Sequence, residues 1–188
     1  MQSVQDFRLR QGLSCIHAGG VIAYPTEAVW GLGCDLWNQT AVTRLLALKA
    51  RPVEKGLILV AAQMSQFDWL LHDLPAADLA RLGASWPGPV TWLIPHYDRV
   101  PDWICGEHGT VAIRVSAHST VKALCNGLEG PLVSTSANVA GSQPARHLFQ
   151  VVKHFGLRLD GVVPGVLGDS ANPSVIRDLA SDRIFRPG

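Results

Sequence analysis

Three cations in one short segment are the first residues of this sequence that could do chemistry. The segment KARPVEKG, residues 49–56, carries Lys49, Arg51 and Lys55 beside a single glutamate. A compact ammonium and a planar guanidinium complement each other in binding phosphate groups. Cations also compensate the negative C-terminal end of a helix, which is the competing interpretation. The residues of this segment leave both interpretations open.

A second polar cluster follows an apolar run. In PLVSTSAN, residues 131–138, Ser134, Thr135, Ser136 and Asn138 come directly after a predicted strand. Small hydroxyls and backbone N–H groups in such a position can cradle phosphate oxygens. A turn with a helix N-cap has the same composition. The sequence has no GxSxG elbow, so a serine nucleophile is not indicated.

Arg114 stands inside an otherwise apolar strand, TVAIRVS at residues 110–116. An unpaired charge in a protein interior is too costly to persist, so this cation needs a partner or a polar cavity. An internal salt bridge and a ligand contact are both open at this point.

The stretch PTEAVWGLG, residues 25–33, places a hydroxyl beside a carboxylate before a Gly-Leu-Gly run. The third glycine of a dinucleotide-binding GxGxxG loop is missing, and no GxxxxGK[ST] motif occurs. We expect one wall of a cavity here, with Trp30 shaping the pocket and with Gly31 and Gly33 letting the backbone turn away. Glu27 is not half of an evident acid–base pair, and its position alone makes it a candidate Mg²⁺ ligand.

Neither the histidines nor the cysteines indicate a metal site. Cys105, Glu107 and His108 in CGEHG are too crowded for regular zinc spacing, so we predict no metal there. The four cysteines form no CxxC pair and predict reduced, mostly buried thiols.

The composition is that of an ordinary globular chain. Of 188 residues, 47% are hydrophobic and 16% are charged, which predicts one domain over residues 1–188. A net charge of +1 provides no global field for a polyanion, so a local cluster must bind any phosphate. The N-terminal MQSVQDFRLRQ does not read as a signal peptide, and no apolar run approaches the roughly 18 residues of a membrane span. The expected location is cytoplasmic.

Helical and strand patterns alternate along the chain. We predict a helix that stops at Gly19-Gly20 and a second helix that is capped by Asn38 or Thr40 and runs through Leu48. Further helices are predicted at 65–72, 75–84, 118–128 and 146–156. Predicted strands lie at 21–24, 56–62, 90–94, 110–116 and 131–138, with a hairpin-like tail. This alternation predicts an α/β domain on a mixed sheet, with ligands bound where strands end.

Six motifs in order resemble one family closely: PTEAVWGLG, KARPVEKG, WPGPVT, AIRV, STSAN and the closing FRPG. The chain resembles the threonylcarbamoyl-AMP synthase family, the YrdC-like domain in its short bacterial form, from the first strand to the last residue. The resemblance implies a single three-layer α/β domain on a twisted mixed parallel and antiparallel sheet, with a large cationic cavity. It also implies condensation of L-threonine, bicarbonate and ATP to threonylcarbamoyl-adenylate with release of pyrophosphate, Mg²⁺ accompanying ATP. A separate transferase complex would then modify N6 of adenosine 37 in tRNA, which this chain is expected to bind weakly at most.

The resemblance assigns roles to individual positions. Its KxR element falls on Lys49 and Arg51, which would be the catalytic cations. The positions implied to bind ATP are Lys49, Arg51, Lys55, Thr91, Ser134, Ser136, Asn138 and Arg186. The positions implied to bind threonine are Thr26, Arg114 and Ser174.

Departures from the family pattern are few. Ala28 and Trp30 stand where many members have a threonine and a smaller aromatic residue, and Gly56 follows Lys55 where many have proline. Longer members continue into a second domain after RPG, so closure of the site by such a domain is not assumed.

The alternative function is an RNA-binding module without chemistry. The near-neutral charge and the lack of an aromatic-rich RNP-type segment weigh against it.

Overall fold

Polar residues at separate strand ends can meet only if their strands lie side by side in one sheet. The computed structural model of the chain describes residues 4–188, and the strands of that part form one continuous sheet. In chain order they are β1 (Ile22–Pro25), β2 (Trp30–Gly33), β3 (Ile58–Ala61), β4 (Val90–Pro95), β5 (Thr110–Val115), β6 (Leu132–Ser136), β7 (Gly161–Val162), β8 (Val175–Asp178) and β9 (Ile184–Arg186). Their order across the sheet is β7-β1-β2-β6-β3-β5-β4-β8-β9.

The sheet is mixed, as predicted. The pairs β1/β7, β3/β5 and β4/β8 are parallel, and the other neighbouring pairs are antiparallel. Parallel pairs require crossover connections, and the helices between the strands provide them. The helices are α1 (Val4–His17), α2 (Gln39–Lys49), α3 (Asp68–Leu71), α4 (Ala76–Ser85), α5 (Asp102–Cys105), α6 (Ser119–Gly127) and α7 (Leu148–Phe155).

Helices cover both faces of the sheet, which makes three layers. Because side chains alternate along a strand, Val21 and Ala23 belong to one apolar core, whereas Ile22 and Tyr24 belong to the other. The first core contains side chains of α2, α3, α4, α5 and α7. The second contains side chains of α1 and α6. The predicted α/β class and its layers are therefore confirmed.

Local signals explain where α2 begins and ends. Asn38 is its N-cap, and the Asn38 side chain accepts a hydrogen bond from the backbone N–H of Ala41 at 3.0 Å. The helix ends at Ala50, which has a left-handed conformation with φ of 49°. This end delivers Lys49 and Arg51 to the edge of the cavity described below.

The expectation that Gly31 and Gly33 turn the backbone away was wrong. They belong to β2, a central strand that pairs with β1 and β6. A Cβ on Gly33 would lie 2.5 Å from the carbonyl oxygen of Val133 and 2.9 Å from the ring of Tyr24. These glycines therefore permit close approach of neighbouring groups, a requirement that no short sequence pattern encodes.

Three further expectations concern the cysteines, membrane-spanning helices and the number of domains. All four cysteines are free, Cys15 being half-buried and the other three buried, as predicted. Within residues 4–188, no helix is long and apolar enough to cross a membrane. The predicted single domain begins at residue 1, and its first three residues lie outside the described part; the domain count stays a prediction.

Candidate active site

A cavity of about 650 Å³ lies where the strand ends and their loops converge. Nine of the eleven positions that the sequence singled out line it: Thr26, Arg51, Lys55, Thr91, Arg114, Ser134, Ser136, Ser174 and Arg186. They come from the turn after β1, the segment after α2, strands β4, β5, β6 and β9, and the residue before β8. Neighbouring strands thus bring together positions that are up to 160 residues apart in sequence. Apolar side chains, including those of Trp30, Leu57 and Ile58, line the cavity as well, together with further polar residues such as Glu27 and Asp178.

Three guanidinium groups lie in this cavity, and two of them affect the third. Burial lowers the pKa of Arg186, and the charges of Arg114 and Arg51 lower it further. Burial also lowers the pKa of Arg51. Like charges held in a common volume repel one another, so an anionic ligand between them would relieve this repulsion. The arrangement is suited to phosphate and carboxylate groups.

Arg51 is anchored by the loop that follows it. Its Nη2 donates to the backbone carbonyl of Gly56 at 2.8 Å, and its Nε donates to the same oxygen at 3.2 Å. Gly56 has a φ of 61°, a conformation that favours glycine, and a Cβ there would lie 3.1 Å from the carbonyl oxygen of Cys105. The departure at Gly56 is therefore consistent with a close turn that orients Arg51.

Lys49 and Asn138 are not part of the cavity lining. Lys49 is buried, with 4% of its surface exposed, and its Nζ donates to the backbone carbonyls of Ser136 and Asn138 and, at 3.4 Å, to Oδ1 of Asn138. Asn138 Oδ1 also accepts from Ser136 Oγ at 2.6 Å, and its Nδ2 donates to the carbonyl of Ser142 at 2.8 Å. Burial, followed by the charge of Arg51, lowers the pKa of Lys49 to about 8. In this structure Lys49 holds the loop behind the cavity wall, so its contact with ATP stays a prediction.

A hydrogen-bonded cluster joins β4, β9 and the residue before β8. Thr91 Oγ1 lies 2.7 Å from Ser174 Oγ, and both residues are buried. Arg186 Nη2 donates to the backbone carbonyl of Ser174 at 2.7 Å and to Ser174 Oγ at 3.2 Å. Two positions implied to bind ATP therefore share their contacts with one position implied to bind threonine.

Arg114 has both of the environments that its sequence left open. It lines the cavity and it forms an ion pair with Glu27, a residue that also lines the cavity. Burial would raise the pKa of Glu27, but the charge of Arg114 and a hydrogen bond from Ser116 outweigh it, and the pKa lies below its ordinary value. Glu27 therefore carries a negative charge next to the guanidinium.

Sequence reasoning missed several residues of this site. Glu27 and Ser116 had no partner visible in the sequence, because their contact spans 89 positions. Cys105 and His108 were considered only as metal ligands, whereas both line the cavity. Arg186 was named in advance, but it lies on the short strand β9, so its approach to the cavity depends on the pairing of β9 with β8.

The residues of the site do not fit a dedicated metal centre. Both oxygens of Glu27 accept hydrogen bonds from the protein, and Oδ2 of the other lining carboxylate, Asp178, accepts two from Ser181. Among residues 4–188, no group of three or more histidine, cysteine, aspartate or glutamate side chains is arranged to hold a metal ion.

Comparisons with known proteins identify relatives of this chain. Residues 14–188 match the Sua5/yciO/yrdC family model, described as telomere recombination. The chain is 58% identical over 184 residues to the threonylcarbamoyl-AMP synthase of Stutzerimonas stutzeri, covering 98% of this chain and 99% of the relative. The E. coli YciO structure has a TM-score of 0.84 at 23% identity and covers 98% of this chain and 90% of its own, which indicates a shared fold.

A structure with a bound amino acid is also similar. P. abyssi Sua5 complexed with L-threonine has a TM-score of 0.91 at 29% identity and covers 100% of this chain. This chain spans 56% of that Sua5 chain. The full-length family match and the high identity to the curated relative lead to one conclusion: the chain belongs to the Sua5/YciO/YrdC family of threonylcarbamoyl-AMP synthases.

Proposed function

We propose that this chain condenses L-threonine, bicarbonate and ATP into L-threonylcarbamoyl-adenylate and releases pyrophosphate and water. The observation that carries the proposal is one cavity that holds four cationic side chains, Arg51, Lys55, Arg114 and Arg186, beside the hydroxyls of β4 and β6. Its volume of about 650 Å³ falls in the usual range of roughly 300–1,000 Å³ for small-molecule sites. The near-identical length of the S. stutzeri enzyme supports the same activity in this chain.

The reaction places demands on charge that this cavity meets. The amine of threonine attacks bicarbonate to form a carbamate with loss of water. A carbamate oxygen then attacks the α-phosphorus of ATP, and the bond to pyrophosphate breaks. Negative charge gathers on phosphate oxygens in both the attack and the departure. Fixed guanidinium groups stabilise such charge without reorganising at the moment of reaction.

We assign the groups by their position in the cavity. Arg51, Lys55 and Arg186 would contact the phosphates of ATP, together with Thr91, Ser134 and Ser136. Thr26, Arg114 and Ser174 would hold threonine, with the guanidinium of Arg114 facing its carboxylate. No side chain is required as nucleophile, so catalysis would consist of positioning and charge stabilisation by the protein. This makes the chain a nucleotidyltransferase that produces an acyl-adenylate.

Mg²⁺ would enter with ATP as part of the substrate. Mg²⁺ is usually bound through substrate phosphates, one or two carboxylates and water. The lining carboxylates Glu27 and Asp178 already accept hydrogen bonds from the protein, so phosphate oxygens and water would supply most of the ligands.

The product is a mixed anhydride and therefore a reactive acyl donor. We propose that a tRNA threonylcarbamoyl-transferase complex accepts it and modifies adenosine 37, so that the reaction takes place in the cytoplasm, with at most weak binding of tRNA to this chain. The near-neutral net charge supports this division of work, because strong tRNA binding depends on many phosphate contacts.

Pyrophosphate release tests the proposal. The purified chain is supplied with Mg²⁺·ATP and bicarbonate, with and without threonine, and pyrophosphate is measured. Release that depends on both threonine and bicarbonate, with a product that incorporates carbon from labelled bicarbonate, supports the function. Release without threonine, or no release, would contradict it.

A further inference from the structure

The carboxylate of Glu27 connects two parts of the cavity wall. Oε2 accepts a hydrogen bond from Nη2 of Arg114. Oε1 accepts from Ser116 Oγ at 2.6 Å and from the backbone N–H of Ala117 at 3.2 Å. The side chain of Glu27 has 15% of its surface exposed and that of Arg114 has 10%. The turn after β1 is thereby attached to the end of β5.

The backbone of the same turn is attached to a second segment. The carbonyl of Thr26 accepts from the N–H of Gly168 at 3.0 Å, and the carbonyl of Glu27 accepts from the N–H of Ser170 at 3.2 Å. A Cβ on Gly168 would lie 3.0 Å from Cα of Glu27, so the two backbones are in close contact. This second segment leads directly to Ser174.

The hydrogen-bond donors of the Arg114 guanidinium are not all paired with acceptors in the described part of the chain. Its Nε is buried and has no hydrogen-bond acceptor among the residues that the structure describes. Because this nitrogen has almost no solvent-accessible surface, a ligand in the cavity would contact the terminal nitrogens of the guanidinium instead. Because Glu27 binds one edge of the guanidinium, the remaining donors have a defined direction in the cavity.

We propose that Glu27 is a positioning residue of the threonine site, which orients the guanidinium of Arg114 toward the carboxylate of threonine. This inference rests on the proposed function, since it concerns the same substrate. Glu27 touches no substrate atom in this role. It holds Thr26, Arg114 and the segment before Ser174 in one fixed arrangement, so its effect is on threonine affinity.

Two other roles for Glu27 are disfavoured by its contacts. A general base needs an accessible carboxylate whose pKa is close to the working pH, whereas the pKa of Glu27 lies below its ordinary value. A Mg²⁺ ligand needs a free oxygen lone pair away from other cations, whereas Oε1 of Glu27 already accepts two hydrogen bonds and Oε2 is paired with the guanidinium of Arg114, whose positive charge would repel a metal ion.

The test is Glu27→Gln, which keeps the shape and removes the charge. KM for threonine is expected to rise about tenfold or more, because the variant loses a charge-assisted contact. kcat at saturating threonine should change less than threefold, and the KM values for ATP and Mg²⁺ should stay within twofold. Glu27→Asp, which keeps the charge on a shorter side chain, should fall between the wild type and Glu27→Gln.

Asp160→Asn is the matched control. Asp160 also accepts from a backbone N–H, that of Val21 at 2.7 Å, and from an arginine, Arg44 at 3.0 Å, but it does not line the cavity. Its substitution should leave the threonine KM unchanged. A fall in kcat with unchanged threonine KM, a rise in the Mg²⁺ requirement, or an equal effect in Asp160→Asn would overturn the inference.

A calorimetric titration of threonine separates this inference from the proposed function. If the wild-type protein binds threonine but releases no pyrophosphate, the proposed function fails, and weaker binding by Glu27→Gln still supports the positioning role. Equal binding by the wild type and the variant overturns that role. If the wild type does not bind threonine, both proposals fail.

Discussion

The Nζ atom of Lys49 lies 2.8 Å from the backbone carbonyl oxygen of Asn138. The same ammonium donates to the carbonyl of Ser136. The side chain of Ser136 lines the cavity, while Lys49 lies behind it. The first cation of the KxR element therefore supports the loop on which the wall of the cavity depends.

We expect Lys49→Met and Asn138→Ala to be strongly non-additive. Each should lower kcat/KM for ATP by about ten- to a hundredfold, because each releases the loop that follows Ser136 at the end of β6. The double variant should lose no more than about threefold beyond the worse single variant. A double-mutant cycle on pyrophosphate release measures this coupling. Fully additive losses would show that Lys49 and Asn138 act on ATP independently.

Arg51→Ala should lose activity but remain folded. Removal of one fixed donor for developing charge typically costs about 10²–10³-fold in kcat. Arg51 is only half-buried and its bonds are to carbonyls of its own loop, so the core packing should persist. Pyrophosphate release measures the loss of activity, and a thermal melt tests whether the variant remains folded. Arg8→Ala, at an exposed arginine of α1, is the control and should keep full activity. Comparable losses in both variants would argue against a specific role for Arg51.

The Glu27 carboxylate should give stability that depends on pH. Its pKa in the folded protein lies below the ordinary value of 4.5, because the charge of Arg114 and the bond from Ser116 outweigh the effect of burial. The stabilisation is therefore fully present above about pH 4.5 and is lost as the pH falls through the folded pKa. Urea unfolding of the wild type and Glu27→Gln between pH 3 and 7 measures it. The difference in the free energy of unfolding should be largest near pH 7 and should shrink in acid; a difference that does not vary with pH would contradict this.

Gly33→Ala should destabilise the protein. The added Cβ would lie 2.5 Å from the carbonyl oxygen of Val133, a backbone atom of the neighbouring strand. Overpacking of this kind costs typically about 1–3 kcal/mol. Gly83→Ala is the control, because its Cβ would meet nothing within 4 Å and alanine is favoured inside helix α4. Chemical denaturation should show a loss for the first variant and no loss for the second. Equal stability of both would mean that β2 does not need its glycines.

Much of the fold could be predicted from patterns within short windows. Most helices and strands were expected close to their observed positions, and Asn38 was expected as one of two candidate caps for α2. The short helix α5 and the central strand β2 were not predicted. Trp30, Gly31, Leu32 and Gly33 lack the β-branched alternation that identifies a strand, and their extended conformation depends on the neighbouring strands β1 and β6.

Nine residues that line the cavity were also named in advance, but their relationships were not. Local patterns and motif order identify a cation or a hydroxyl, since these depend on residue type and spacing alone. The contact between Glu27 and Arg114 spans 87 positions, and that between Lys49 and Asn138 spans 89. The first contact depends on the order of β2, β6, β3 and β5 in the sheet, and the second depends on the packing of α2 beside the end of β6. Strand order depends on burying both faces of the sheet under helices, and this burial involves the whole chain at once. The tertiary structure therefore decides which charged side chains face a substrate and which hold the cavity wall in place.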